Sequence, residues 1–160
     1  MEASGGDIAW EETKSDQRIG RDACRVGKTH ERIRETIPSM ILDSNILIGY
    51  LNGDARIIAT LQTWRESGTV LFISATSAIE VLSLSSLTSN DVAGIEKFLD
   101  DFIVIPVDMR LIGIAGHLRR AFRVSVPDAA IVATAITNHL PLVTRDKKLR
   151  AIPGIMLADI

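Results

Sequence analysis

The chain has 160 residues, 46% hydrophobic and 24% charged, enough for one well-buried domain and too few for two of ordinary size. A formal net charge of −2 excludes a strongly basic chain that holds nucleic acid by bulk charge, and aromatics at 4% argue against extended base-stacking platforms. The single Cys24 allows no internal disulfide, which suits a reducing cytoplasm. No apolar run reaches the length of a membrane span, and the N-terminus lacks a signal-peptide core.

Met1–Ser39 mixes Gly, Ser, Glu, Arg and Lys with few large apolar residues, so it has little to set against the entropy of folding. It reads as a disordered leader, with a short charged helix possible over Thr29–Thr36. From Met40 the pattern alternates. A strand at about 40–43 precedes a helix at about 45–52, and Asp54 to about Glu66 carries Ile57, Ile58, Leu61 and Trp64 on one helical face. Strand Val70–Ile73 feeds a helix over 75–86, and Thr88-Ser89-Asn90-Asp91 caps a helix to about Asp100. Strand Phe102–Val107, a helix Met109–Phe122, a helix Asp128–His139 and strands Leu142–Thr144 and Ile155–Leu157 complete the order. Strands separated by helices predict an α/β fold, a three-layer α/β/α sandwich around a mostly parallel central sheet. Ligands on such sheets bind outside the carboxyl ends of the strands.

Four acids stand at or near the ends of these apolar segments: Asp43, Glu80, Asp128 and Asp146. Gathering carboxylates at the rim of a core is costly unless something cationic compensates them, which points to a divalent metal site. Each acid also has an ordinary structural use. Asp43 can end a strand and cap the next helix, and Glu80 can be an exposed helical residue. Asp128 after Pro127 is a good helix opener, and Asp146 fits a Thr-Arg-Asp-Lys turn. Capping explains individual acids but not their meeting at one sheet edge. His30, His117 and His139 lack ligand spacing, and Ser44, Ser74 and Ser77 lack His and Asp partners in a recognisable order.

Met40-Ile41-Leu42-Asp43-Ser44-Asn45, Ile73 to Ser83 around Glu80, Val126-Pro127-Asp128-Ala129-Ala130 and Pro141-Leu142-Val143-Thr144-Arg145-Asp146 occur in this order. The four segments together resemble the PIN-domain nucleases, and among them the VapC-type toxin ribonucleases of toxin–antitoxin pairs. The resemblance covers Met40 to Ile160. It implies a PIN-like fold and a Mg2+- or Mn2+-dependent endoribonuclease, the toxin of a type II pair. Asp43, Glu80, Asp128 and Asp146 would be the catalytic, metal-holding acids, with Asn45 and Thr144 as supporting polar residues. It also implies an RNA substrate, a cognate antitoxin as partner, a homodimer and a cytoplasmic location without membrane attachment. Alternatives on the same fold are a housekeeping RNA-processing nuclease and an inactive binding relic.

Basic residues form local groups: Arg119-Arg120 with Arg123, and Arg145 with Lys147-Lys148 and Arg150. Arg145, Lys147 and Lys148 adjoin Asp146, where they would hold RNA phosphates; a solvated turn is the other reading. The expected organisation is therefore a leader over 1–39 and a nuclease domain over 40–160. Because the family domain ordinarily begins at its first strand, the leader is either an extension that touches a partner or the product of a misassigned start codon ahead of Met40.

Overall fold

A computed structural model describes residues 37–85 and 87–160; the leader up to Thr36, with its expected helix over Thr29–Thr36, lies outside them. Five strands form one sheet: β1 (Ser39–Leu42), β2 (Val70–Ser74), β3 (Ile103–Ile105), β4 (Leu142–Val143) and β5 (Leu157–Ala158). The helices between them are α1 (Ser44–Leu51), α2 (Ala55–Glu66), α3 (Ala75–Leu82), α4 (Ser89–Leu99), α5 (Met109–Phe122), α6 (Val126–Asn138) and α7 (Lys147–Arg150). The strand order is β3-β2-β1-β4-β5 and every pairing is parallel.

Side-chain alternation along the central strands builds the three layers. Ile41 of β1 and Leu142 of β4 turn to one face, where they join Leu111 and Leu118 of α5 and Ala129 to Ala135 of α6. Leu42 and Val143, the next residue on each strand, turn to the other face and meet Ile46, Leu47, Ile57, Leu61, Val81 and Ile95. Both β1 and β4 are thus apolar on both sides, as strands covered by helices must be. Near the second face α1 and α2 approach closely at Gly49, where a Cβ would collide with Ile57.

The element order matches the sequence reading, with shifts at the ends that have local causes. The third helix stops at Leu82 rather than 86: Ser83 to Ser85 favour bonds to nearby backbone over helical ones, and the Ser83 N–H already turns in to the Glu80 carbonyl. β3 ends at Ile105 because Pro106 has no N–H for the ladder. β5 begins only at Leu157, after a turn in which Gly154 takes φ +83°. The fourth helix starts at Ser89, its Thr88 cap locked by a reciprocal bond to Asp91. At the amino end the sheet begins ahead of Met40: Ser39 pairs with Val70, and the Pro38 carbonyl accepts the Val70 N–H.

Candidate active site

The chain runs from β1 outward to β2 and β3 on one side, then returns to place β4 and β5 on the other. The crevice at the carboxyl ends of β1 and β4 is therefore the switch point of the sheet, the place such folds present to ligands. Asp43 is the first residue past β1, and Thr144 the first past β4; since Leu42 pairs with Val143, the two stand in register.

Asp43 is only 5% exposed, and its carboxylate is clamped from three directions. One oxygen accepts the Ser44 N–H at 2.8 Å, which makes Asp43 the N-cap of α1. The other accepts the Asn45 side-chain amide at 2.6 Å and the Thr144 hydroxyl at 2.7 Å. Thr144 Oγ1 in turn accepts from Asn45 at 3.1 Å and from the Asp146 backbone N–H at 3.0 Å. The two polar residues expected to support the site thus brace Asp43 and tie it to the strand beside it.

Burial pushes the Asp43 carboxyl above the usual carboxylate range, against the lowering pull of the Thr144 and Ser44 hydrogen bonds; Asp128 and Glu80 push it further the same way. Glu80 rides on α3 and Asp128 on α6, two helices that pack on each other while α3 also packs on α1. Asp43 therefore feels the charge of two acids carried by two other elements. No ion pair compensates any of them among the described residues. The donor set is all oxygen and anionic, the chemistry a hard divalent cation takes.

Asp128 and Asp146 are each engaged at a helix start. Asp128 sits at N3 of α6, where its carboxylate reaches back to the Ser125 N–H at 3.3 Å while the Ser125 hydroxyl takes the Asp128 N–H at 3.1 Å. Asp146 caps α7 through the Lys148 N–H at 2.7 Å. Among the described residues no three His, Cys, Asp or Glu side chains converge closely enough to enclose an ion as they stand. The residues fit a divalent cation in chemistry and charge.

Arg145 was expected at RNA phosphates, and its guanidinium instead meets Asp54 at 2.7 Å, holding the Asp54 carboxyl below the usual range. Arg150 likewise pairs with Asp159 at 2.8 Å. Lys147 and Lys148 are exposed on α7. Two supports escaped sequence reading. Ser74, dismissed with Ser77 as a nucleophile, is the buried N-cap of α3: its hydroxyl accepts the Ser77 N–H at 2.9 Å and bonds Thr76 and Ser77 hydroxyls, anchoring the helix that carries Glu80. Ser125 does the same for α6 and Asp128. The signal was present in both cases, a serine three residues ahead of Ser77 or Asp128 at a helix start.

A parallel α/β/α sheet with anionic side chains assembled at its switch point defines a class of carboxylate-site α/β proteins. The PIN domain family model matches residues 40–155, and the chain belongs to the PIN-domain family, whose nuclease members are hydrolases acting on nucleic acid. No curated protein sequence matches it. Among solved structures, a chain of a toxin–antitoxin complex from Klebsiella pneumoniae is 27% identical, with 76% of this chain and 99% of that one covered and a TM-score of 0.64. VapBC2 from Rickettsia felis bound to a promoter DNA fragment shares the fold at 20% identity, covering 76% and 98%, with a TM-score of 0.67. DNA-bound VapBC from Salmonella typhimurium shares it at 22% identity, covering 77% and 98%, with a TM-score of 0.66.

Proposed function

We propose that this chain is a VapC-type toxin, a metal-dependent endoribonuclease that hydrolyses RNA phosphodiester bonds and is neutralised by a cognate antitoxin. The observation that carries the reading is Asp43: a buried carboxylate that feels the charge of Glu80 and Asp128, with no ion-pair partner among the described residues. Capping α1 accounts for one oxygen of Asp43 but not for bringing two further acids toward a buried carboxylate, which a cation would offset. Mg2+ or Mn2+ would be held by Asp43, Glu80 and Asp128, with Asp146 at the rim. The chemistry such an ion supplies is a nucleophilic water at neutral pH and neutralisation of charge on the leaving oxygen. Thr144 and Asn45 keep the Asp43 carboxylate oriented toward the crevice, and Lys147 and Lys148 lie at the same edge, where they would meet phosphates.

The antitoxin reading is supported by the likeness to the Klebsiella pneumoniae complex and by an apolar groove of about 270 Å3 whose walls include residues of the helices that carry Glu80 and Asp128. Thr76, Val107, Leu111, Ile112, Val126 and Ala129 line it, and Ile112 and Val126 are 49% and 57% exposed. Surface of that kind suits the apolar anchors of a partner segment, from which a cationic side chain would reach the acids. Ile79, 62% exposed, and Met109, 80% exposed, offer further apolar area for a homodimer contact. No described helix is long and apolar enough to cross a membrane.

The experiment is cleavage of structured RNA by the purified chain with Mg2+ or Mn2+, with and without excess chelator. Loss of cleavage in chelator and growth arrest on induction, relieved by co-expression of the adjacent antitoxin gene, support the reading. Cleavage undiminished by chelation contradicts the metal mechanism, and metal binding without cleavage assigns an inactive relic. Cleavage without toxicity assigns a housekeeping nuclease.

A further inference from the structure

We propose that Arg119, Arg120 and Arg123 form a phosphate-binding cleft that holds the RNA strand to one side of the scissile bond. The inference rests on the nuclease reading and adds the surface along which the substrate runs. The three arginines, with Gly116 and Val124, line one open cleft of about 570 Å3 at the end of α5. None of them has a carboxylate partner among the described residues, whereas Arg65, Arg145 and Arg150 pair with Asp101, Asp54 and Asp159. The carbonyls at a helix C-terminus make basic residues welcome there, which accounts for their presence. It does not account for three guanidinium groups opening on one cleft with no acid to share it.

The surroundings of this cluster set it apart from an ordinary basic helix end. Arg123 is the C-cap of α5 and holds φ +53°, the left-handed conformation in which glycine is the usual occupant. His139 caps α6 in the same conformation at φ +52°, so Arg123 is set apart by the cleft it lines and not by its backbone. The cleft also joins the apolar groove: Gly116 and Arg119 line both, and the other walls of the groove include Thr76 of α3 and Val126, Ala129 and Ala130 of α6. These are the helices that carry Glu80 and Asp128. A strand with one phosphate at the acids therefore has a route through the groove to the arginines, whose planar forks match phosphate oxygens. In a chain of net charge −2, such a local patch is what an anionic polymer must meet.

The test is equilibrium binding of a fluorescent single-stranded RNA of mixed sequence to the full chain in chelator, where no cut occurs, over a series of salt concentrations. Arg119→Gln, Arg120→Gln and Arg123→Gln combined should weaken binding roughly tenfold or more and flatten the slope of log affinity against log salt by about 2, at ~0.7 per lost phosphate contact. The combined Arg→Lys variant keeps the charges and should keep the slope, which separates lost contacts from a damaged fold. Arg65→Gln, at an arginine already paired, should keep it as well. A Gln variant with the wild-type slope and affinity overturns the cleft and leaves the nuclease reading intact. A Gln variant that binds RNA normally and loses only the antitoxin also overturns it and assigns the arginines to a protein partner. Wild type without salt-dependent RNA affinity overturns the cleft, while metal-dependent cleavage tests the nuclease reading by itself.

Discussion

β1 and β4 lie side by side, point the same way and each delivers an aspartate to a helix N-cap, yet the two carboxylates are in different situations. Asp43 follows its strand directly, is 5% exposed and is held by the Ser44 N–H, Asn45 and Thr144. On β4 the position in register with Asp43 is Thr144, and the acid comes two residues later, half-buried at the rim. The difference teaches that an acid after a strand is not one kind of residue. The first position past the strand is enclosed by the neighbouring strand end, so it is desolvated and depends on what is aimed at it. Two positions further, solvent takes over.

The largest expected effect breaks the pair apart. Asp43→Asn should lower metal-dependent cleavage by at least about 10²-fold, because the substitution removes a full charge from the enclosed end of the site. It should also shrink the rise in melting temperature that Mg2+ gives wild type, since an ion that binds only the native state stabilises in proportion to its affinity. Parallel cleavage assays and melting curves on Asp43→Asn and Asp146→Asn check this. Equal losses in the two variants would erase the distinction between the strand ends.

Next comes the hydroxyl that makes the first position what it is. Thr144 is 2% exposed and donates to Asp43 while accepting from Asn45 and the Asp146 N–H. Thr144→Val keeps the volume and leaves these groups short of a partner, which should cost about 1–3 kcal/mol in thermal or denaturant unfolding. Because this hydrogen bond pulls the Asp43 carboxyl down, its loss lets burial raise it further. The sign follows. A larger fraction of Asp43 is protonated at any given pH, so the acid limb of the cleavage profile moves to higher pH. In chelator, an acid whose folded value lies above its unfolded one favours the fold most below the unfolded value. That contribution is lost as pH rises through the folded value, and Thr144→Val should extend the decline upward. A pH profile superimposable on wild type would mean that Thr144 braces the backbone and not the carboxylate.

The sequence carried the acids and the strand–helix alternation because each leaves a local mark, an apolar run meeting Asp or a polar residue where a helix opens, while the bracing pair Asn45 and Thr144 came only with the resemblance to the PIN-domain nucleases. What it did not carry is which partner each side chain finds across the chain. The Thr144 hydroxyl reaches an aspartate 101 positions away, and Arg145 is claimed by Asp54 at 91 positions' separation. Composition lists Arg145 and Arg119 as equals; only the folded chain spends one on an internal acid and leaves the other open to a cleft. Asp128 shows the same limit. Its place at a helix start was legible, and Ser125 three residues ahead signalled the cap, but whether the carboxylate turns back to Ser125 or outward is set by the fold.

The smallest effect belongs to the rim. Asp146 caps α7 through the Lys148 N–H, and asparagine caps a helix about as well as aspartate, so Asp146→Asn should leave unfolding within about 0.5 kcal/mol of wild type. Asp146→Ala, which has no oxygen to offer, should cost about 1 kcal/mol by the same reasoning. Cleavage separates the two jobs this residue is given. If Asp146 is also a rim ligand, both variants lose activity together, several-fold and well short of Asp43→Asn, because each removes the same charge whatever it does to the cap. If it is a cap alone, Asp146→Asn cleaves like wild type and only Asp146→Ala is impaired, in step with its lower melting temperature. Matching activity loss in the two variants at unequal stability is the outcome expected here, and activity that follows stability would reduce the site to Asp43, Glu80 and Asp128.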